Sequence, residues 1–189
     1  MSRYHNPIHT PIFPSQASGY SSLSGALSPT SQFSNPCRHR VPQSATKAIG
    51  SPISHPISFD YIGYTKQGVS IVDFSARSAN ALAQMVAGGG DPVLAHTDVK
   101  QIDIRITWIG YEHLNWSFST PASSSMTRIQ LGASIAMHFW RFVEKAMSSS
   151  VSSQQWKIGN GGIEFDEIIL VALYSIGGDV WQADVAVDH

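Results

Sequence analysis

One cysteine, no acidic residue before position 59 and no long apolar run: these shortages bound the chain before any motif is sought. A lone cysteine, Cys37, leaves no disulfide framework and no paired-cysteine metal motif. The opening Met1-Ser-Arg-Tyr-His-Asn-Pro has no apolar stretch that would serve as a signal peptide. No segment approaches the roughly 18 consecutive apolar residues of a membrane-crossing helix. Ser2 in place of glycine argues against N-myristoylation. The Asn115-Trp-Ser sequon matters only in a secreted protein and falls within an expected strand. The expectation is an intracellular protein, cytoplasmic or nuclear, with no membrane association.

The usual signatures of catalysis are missing too. There is no Gly-x-Ser-x-Gly elbow, and Cys37 lies among Ser- and Pro-rich residues, so a nucleophile is hard to place. The glycines at 88–90 lack the Gly-Lys-Ser/Thr of a phosphate loop and read as a helix stop. His96, His113 and His138 are widely spaced, with no H-x-x-x-H pair, so no metal is expected. Glu164, Asp166 and Glu167 do not match the alternating oxygens of a calcium loop. No cofactor is implied.

What is present divides the chain in two. Residues 1–58 hold 13 of the Ser and 8 of the 10 Pro, with four Lys and Arg and no acid, for a net charge of +4. The remainder holds all five Trp and has eight Lys and Arg against 13 Asp and Glu, for a net of −5. With few large apolar residues, the first segment is expected to be a disordered tail, because too little surface can be buried to offset the entropy of ordering. Within it, Pro7–Ile12 and Pro52–Ile57 share the pattern P-I-x-x-P-I, a spacing that favours polyproline II and fits SH3-like grooves. Thr10, Ser28 and Ser51 each precede proline and are sites for a proline-directed kinase.

Residues 59–189 read as one α+β domain. Val69–Phe74 is expected as a short strand or extended lead-in. Ser75 would then cap a helix to about Ala87, with Ala79, Leu82, Ala83 and Val86 at helical spacing. Ile102, Ile104, Ile106 and Trp108 alternate with polar residues, as do Leu114, Trp116 and Phe118, which predicts a hairpin or bent strand pair over 100–119. Thr127 and Gln130 form a capping box before a helix to about Met147. Leu131, Ile135, Phe139 and Phe142 make its core stripe, widened by Ile129, Ala136, Trp140 and Val143. Ile168–Tyr174 is apolar on both faces, as for a covered central strand. After a turn at Gly177-Gly-Asp179, Trp181, Ala183, Val185 and Val187 face inward and Gln182, Asp184 and Asp188 outward. The predicted order is β-α-ββ-α-ββ: a mostly antiparallel sheet packed with two helices.

The most reactive-looking local cluster is Tyr111, Glu112 and His113, at an expected turn where side chains reach solvent. Arg105, with Tyr111 and Trp116, would add a cationic and aromatic binding surface. No catalytic set converges on these positions.

Several ordered segments carry a resemblance. Asp91-Pro-Val-Leu-Ala-His96, Ile104–His113, Thr127–Gly132 and Trp181–Asp188 together resemble an uncharacterised domain family of mushroom-forming (basidiomycete) fungi, over residues 68–188. Where that pattern carries proline before Gly110, this chain has Ile109. The resemblance implies a fungal intracellular protein and transfers no activity or catalytic residue.

Two functions are then weighed. One is a non-enzymatic interaction module that binds a protein partner, its tail open to regulation. The other is a small enzyme or ligand-binding protein with a pocket near Gly110–His113. Nucleic acid is not expected as a partner, because the domain carries net negative charge.

Overall fold

The computed structural model describes residues 33–43 and 55–189. Ten elements follow one another: β1 (Arg38–Arg40), β2 (Ile57–Ser58), β3 (Val69–Ser70), α1 (Ile71–Ala76), α2 (Ala79–Met85), β4 (Gln101–Arg105), β5 (Ser117–Pro121), α3 (Arg128–Met147), β6 (Ile168–Gly177) and β7 (Val180–Asp188). The fold is α+β. Its mixed sheet runs β2-β6-β7-β4-β5, with β1 also on β7 and β3 also on β6. All pairings are antiparallel except β4 with β7. Among the described residues no helix is long and apolar enough to cross a membrane.

The β6–β7 hairpin is the spine, as its continuous apolar run implies. Its turn lies at Gly177 and Gly178, both with positive φ (123° and 54°). Trp181, Ala183, Val185 and Val187 of β7 join Leu131, Ile135, Phe139 and Phe142 of α3 in one core. α3 begins where expected: the Thr127 hydroxyl accepts from Gln130 N, and Gln130 Oε1 from Thr127 N at 2.9 Å.

Four expectations are corrected. First, the fold takes in residues ahead of position 59. β1 pairs with β7 in the register Arg38↔Asp188, His39↔Val187, Arg40↔Ala186, and Ile57 of β2 lies opposite Leu173. The buried Ile57 therefore closes the second P-I-x-x-P-I motif inside the sheet; the first motif and the three Ser/Thr-Pro sites lie outside the described residues. Second, the strand at Val69 stops at Ser70, where the chain turns into α1, placing Ile71 and Phe74 three apart on the core side. Ser75 is thus mid-helix and donates to Ile71 O at 2.9 Å. Ser78 caps the separate α2 by accepting from Ala81 N. The expected single helix is two, for three α-helices among the described residues. Third, β4 and β5 pair as foreseen, Ile104 opposite Phe118, but the alternation at Ile106, Trp108, Leu114 and Trp116 is not strand: residues 106–116 form a long connection. Fourth, Trp140 is half exposed, not core. At 3.6 residues per turn it lies about 180° round α3 from Leu131.

The sheet's other face is neither bare nor solvated. Gln182 and Asp184, read as outward, are both buried. Beside them Phe33, Ile169, Val171 and Ala186 form a second, small apolar cluster.

Candidate functional site

α1 and α3 pack side by side over the main core. Their contact is set by Gly132, where a Cβ would stand 2.4 Å from Phe74 Cε1. The absent side chain lets the Phe74 ring lie against the α3 backbone. Outside that contact the two helices leave an open groove of about 510 Å³, lined by Phe74 and Ser75 of α1 and by Ala133, Met137, Trp140 and Arg141 of α3. Met137 is 49% exposed and Trp140 51%. Trp140 is steadied by an edge-on contact with Phe165, ring centres 5.1 Å apart.

The groove's charge is simple. Arg141 is exposed and makes no ion pair or hydrogen bond among the described residues. Its neighbour His138 stacks on Phe118 at 3.7 Å. Burial, helped by the Arg141 charge, lowers the His138 pKa and favours its neutral form. A positive guanidinium therefore edges an apolar floor. That combination holds an apolar side chain and a carboxylate; it offers no nucleophile and no acid–base pair.

The residues singled out from sequence do not converge. Tyr111 is buried edge-on to Phe142, and its hydroxyl accepts from Ile158 N at 3.1 Å. Both Glu112 carboxylate oxygens accept from Gly110 N, at 3.1 and 3.0 Å. His113 is exposed and lies roughly parallel to the Tyr111 ring, 6.3 Å away. Arg105 projects from the opposite face of the sheet, since Ile102 and Ile104 alternate with it into the main core. Two bonds tie this loop to residues 151–158: Trp108 Nε1 donates to Trp156 O at 2.9 Å and Ser152 N to Gly110 O at 3.0 Å, while Trp116 Nε1 is buried without a hydrogen-bond partner among the described residues. Within the loop, Trp108–Tyr111 makes a turn: Tyr111 N donates to Trp108 O at 3.0 Å and Gly110 takes a φ of 91°. The acidic trio is not gathered into a site, and Glu167 Oε1 lies 3.3 Å from His189 Nδ1. Glu164 and Glu167 cap the single turn Phe165–Glu167, with Glu164 N donating to Glu167 Oε2 at 2.8 Å.

On the face away from the helices a polar cluster gathers residues far apart in sequence. Gln182 Nε2 donates to Gln43 Oε1 at 2.8 Å and to Thr107 Oγ1 at 2.9 Å. Asp184 faces Arg40, Nη2 to Oδ2 at 3.4 Å, but no hydrogen bond reaches that oxygen. Burial raises the Asp184 pKa against the opposing pull of Arg40. The hydroxyl of Tyr174 is likewise raised, by burial and then by the Asp184 charge. Among the described residues no group of three or more His, Cys, Asp or Glu is placed to hold a metal ion.

The groove left one trace in the sequence. Met137, Trp140 and Arg141 are three and four apart, Met137 and Trp140 lie on the side of α3 away from Leu131, and an aromatic with a methionine on a helix's outer face needs a reason. Compared with protein-family models, curated proteins and solved structures, the chain matches none.

Proposed function

We propose that this chain is a non-enzymatic protein-interaction module whose α1–α3 groove receives an apolar side chain flanked by a carboxylate on a protein partner. The supporting observation is the exposure of Met137 and Trp140 beside an uncompensated Arg141. Tryptophan and arginine are the residues that most often dominate binding energy at protein interfaces, and methionine adapts to varied partner shapes. On the sequence grounds given above, the module works inside a fungal cell, in cytoplasm or nucleus. Its Ser/Thr-Pro sites and the Pro7–Ile12 motif would tune access to partners.

The reading is tested by selecting displayed random peptides on the full chain and on its Trp140→Ser and Arg141→Glu variants. Selected peptides should carry an aromatic or aliphatic residue next to Asp or Glu. They should lose binding to Trp140→Ser and weaken on Arg141→Glu, while circular dichroism shows both variants folded. Peptides without that consensus, or binding indifferent to both substitutions, would overturn it.

A further inference from the structure

The segment Phe33–Val41 makes a self-contained set of contacts with the rest of the fold. Its backbone joins β7 from both ends of the pairing: His189 N donates to Cys37 O at 3.3 Å and Val41 N to Val185 O at 2.9 Å. Arg38 grips Asp188 with two bonds, Nε to Oδ1 at 2.6 Å and Nη2 to Oδ2 at 2.7 Å, and donates from Nη1 to Gln67 O. Arg40 stands by Asp184. Phe33 covers Ile169, Val171 and Ala186, with both guanidinium groups within 6 Å of its ring. The match is one of spacing. Asp184 and Asp188 lie four apart on one face of β7, and Arg40 and Arg38 two apart on β1, so one extended basic strand meets one acidic strand edge.

Every copy of the chain therefore carries both halves of a complementary pair. We propose that β1 is an exchangeable strand: Phe33–Val41 of one copy seats on β7 of a second copy, in the same register. Nothing new has to be made for this. Each contact listed above forms equally well between two chains, the condition under which strand exchange is a low-cost route to a dimer. The β7 edge beyond β4, which β1 covers within one copy, is the receptor, and an edge of that kind left without its strand recruits another. Eleven residues separate Gln43 from His55 in the sequence, a covalent reach of about 40 Å when fully extended, ample for the donor strand to cross to a neighbour. The exchanged dimer would carry two α1–α3 grooves and bind a divalent partner more tightly than one copy does.

Cys37 supplies the test, because it is exposed, it is the chain's only cysteine and its carbonyl pairs with His189. In the His189→Cys chain, Cys37 and the new thiol should close a disulfide, since directly opposed residues in an antiparallel pair lie about 5.5 Å apart at Cα. The decisive measurement mixes the wild-type chain with a Cys37→Ser/His189→Cys chain, co-refolded from urea in a glutathione buffer. A mixed disulfide then forms between chains only if β1 of one sits on β7 of the other. We expect severalfold more of it than with a Cys37→Ser/Ser124→Cys chain, whose thiol is exposed in a loop away from β1. The yield should rise with protein concentration and fall when a synthetic 33–41 peptide is added. A yield equal to the Ser124→Cys comparator, or failure of the single-chain disulfide, overturns the proposal.

Discussion

Ile102, Ile104, Trp181 and Val185 meet the helices across one face of the sheet, whereas Ile169, Val171 and Ala186 meet a single ring, Phe33, across the other. The first face is closed by many apolar contacts with α1, α2 and α3. The second is closed by one aromatic, two arginine–aspartate pairs and a glutamine–threonine–glutamine cluster, drawn from residues as far apart as Arg38 and Asp188. Apolar burial is cumulative and non-directional, so it tolerates small errors of placement. Charge pairing at a half-buried edge is directional, and it stabilises only when both partners are in register.

The sharpest way to break this comparison is to remove one large side chain from the helix-side core. Phe139 is fully buried and packs edge-on to Phe142. Phe139→Ala should lower unfolding free energy by about 3–5 kcal/mol, read from urea denaturation, because the cavity adds to the lost transfer energy. A loss as small as that from an edge substitution would mean that this face is loosely packed. Gly132→Ala probes the same face differently. Alanine is the better helix former, but its Cβ would meet Phe74 at 2.4 Å. The substitution should be destabilising by about 1–3 kcal/mol from overpacking, and it should narrow the groove. An alanine variant as stable as wild type, with unchanged peptide binding, would show that Phe74 moves aside freely.

The same contrast explains what was readable beforehand. α3 and the β6–β7 hairpin were legible because their burial is periodic or continuous: the Thr127–Gln130 cap and the stripe Leu131, Ile135, Phe139, Phe142 are local signals. β1 was not. Arg38-His-Arg40 has no apolar alternation, and its partners Asp184 and Asp188 lie about 150 residues away, so composition alone placed it with the Ser- and Pro-rich residues around it. The break at Ser70 was hidden for a related reason. Val69-Ser-Ile-Val has the β-branched composition of a strand, while the helix at Ile71 is stabilised by partners outside that tetrapeptide: Tyr61 hydroxyl donates to Asp73 Oδ2 at 2.5 Å and Arg77 Nε to Asp73 Oδ1 at 2.6 Å. Burial, and then the bond to Asp73, pushes the Tyr61 hydroxyl up to about 12. For the site, Tyr111, Glu112 and His113 were conspicuous as chemical types, but backbone amides at 110 and 158 take up the first two. The groove residues were discounted because Trp140 was assigned to the core.

On the second face the effects should be smaller. Arg38→Ala removes a bidentate pair in which Arg38 is 14% and Asp188 29% exposed. With that partial exposure to solvent, the loss should be about 1 kcal/mol. Hydrogen exchange should quicken at Val185 to Asp188 while Leu170 and Leu173 stay protected. Uniform quickening across the sheet would mean that β1 and the main core unfold as one unit, against the division drawn here.

The smallest effect should also have the less intuitive sign. Asp184 looks like half of a stabilising ion pair, yet burial raises its pKa despite Arg40, so the loss of hydration outweighs the attraction. The groups facing it are Arg40 from β1 and Tyr174 from β6, with Gln182 beside it on β7. A carboxyl whose folded pKa lies above its unfolded value binds its proton more tightly in the folded state. Its contribution to stability is therefore favourable while it stays protonated in the fold, and is lost as pH rises from its ordinary value near 4 through the raised one. Asp184→Asn keeps the shape and removes the charge. Its urea midpoint should lie above that of wild type at pH 7 and converge with it near pH 3, where wild-type Asp184 is itself neutral. A midpoint below wild type at pH 7 would instead make the Arg40 contact worth more than the hydration it displaces. The second face would then be held, like the first, by interactions that all favour folding.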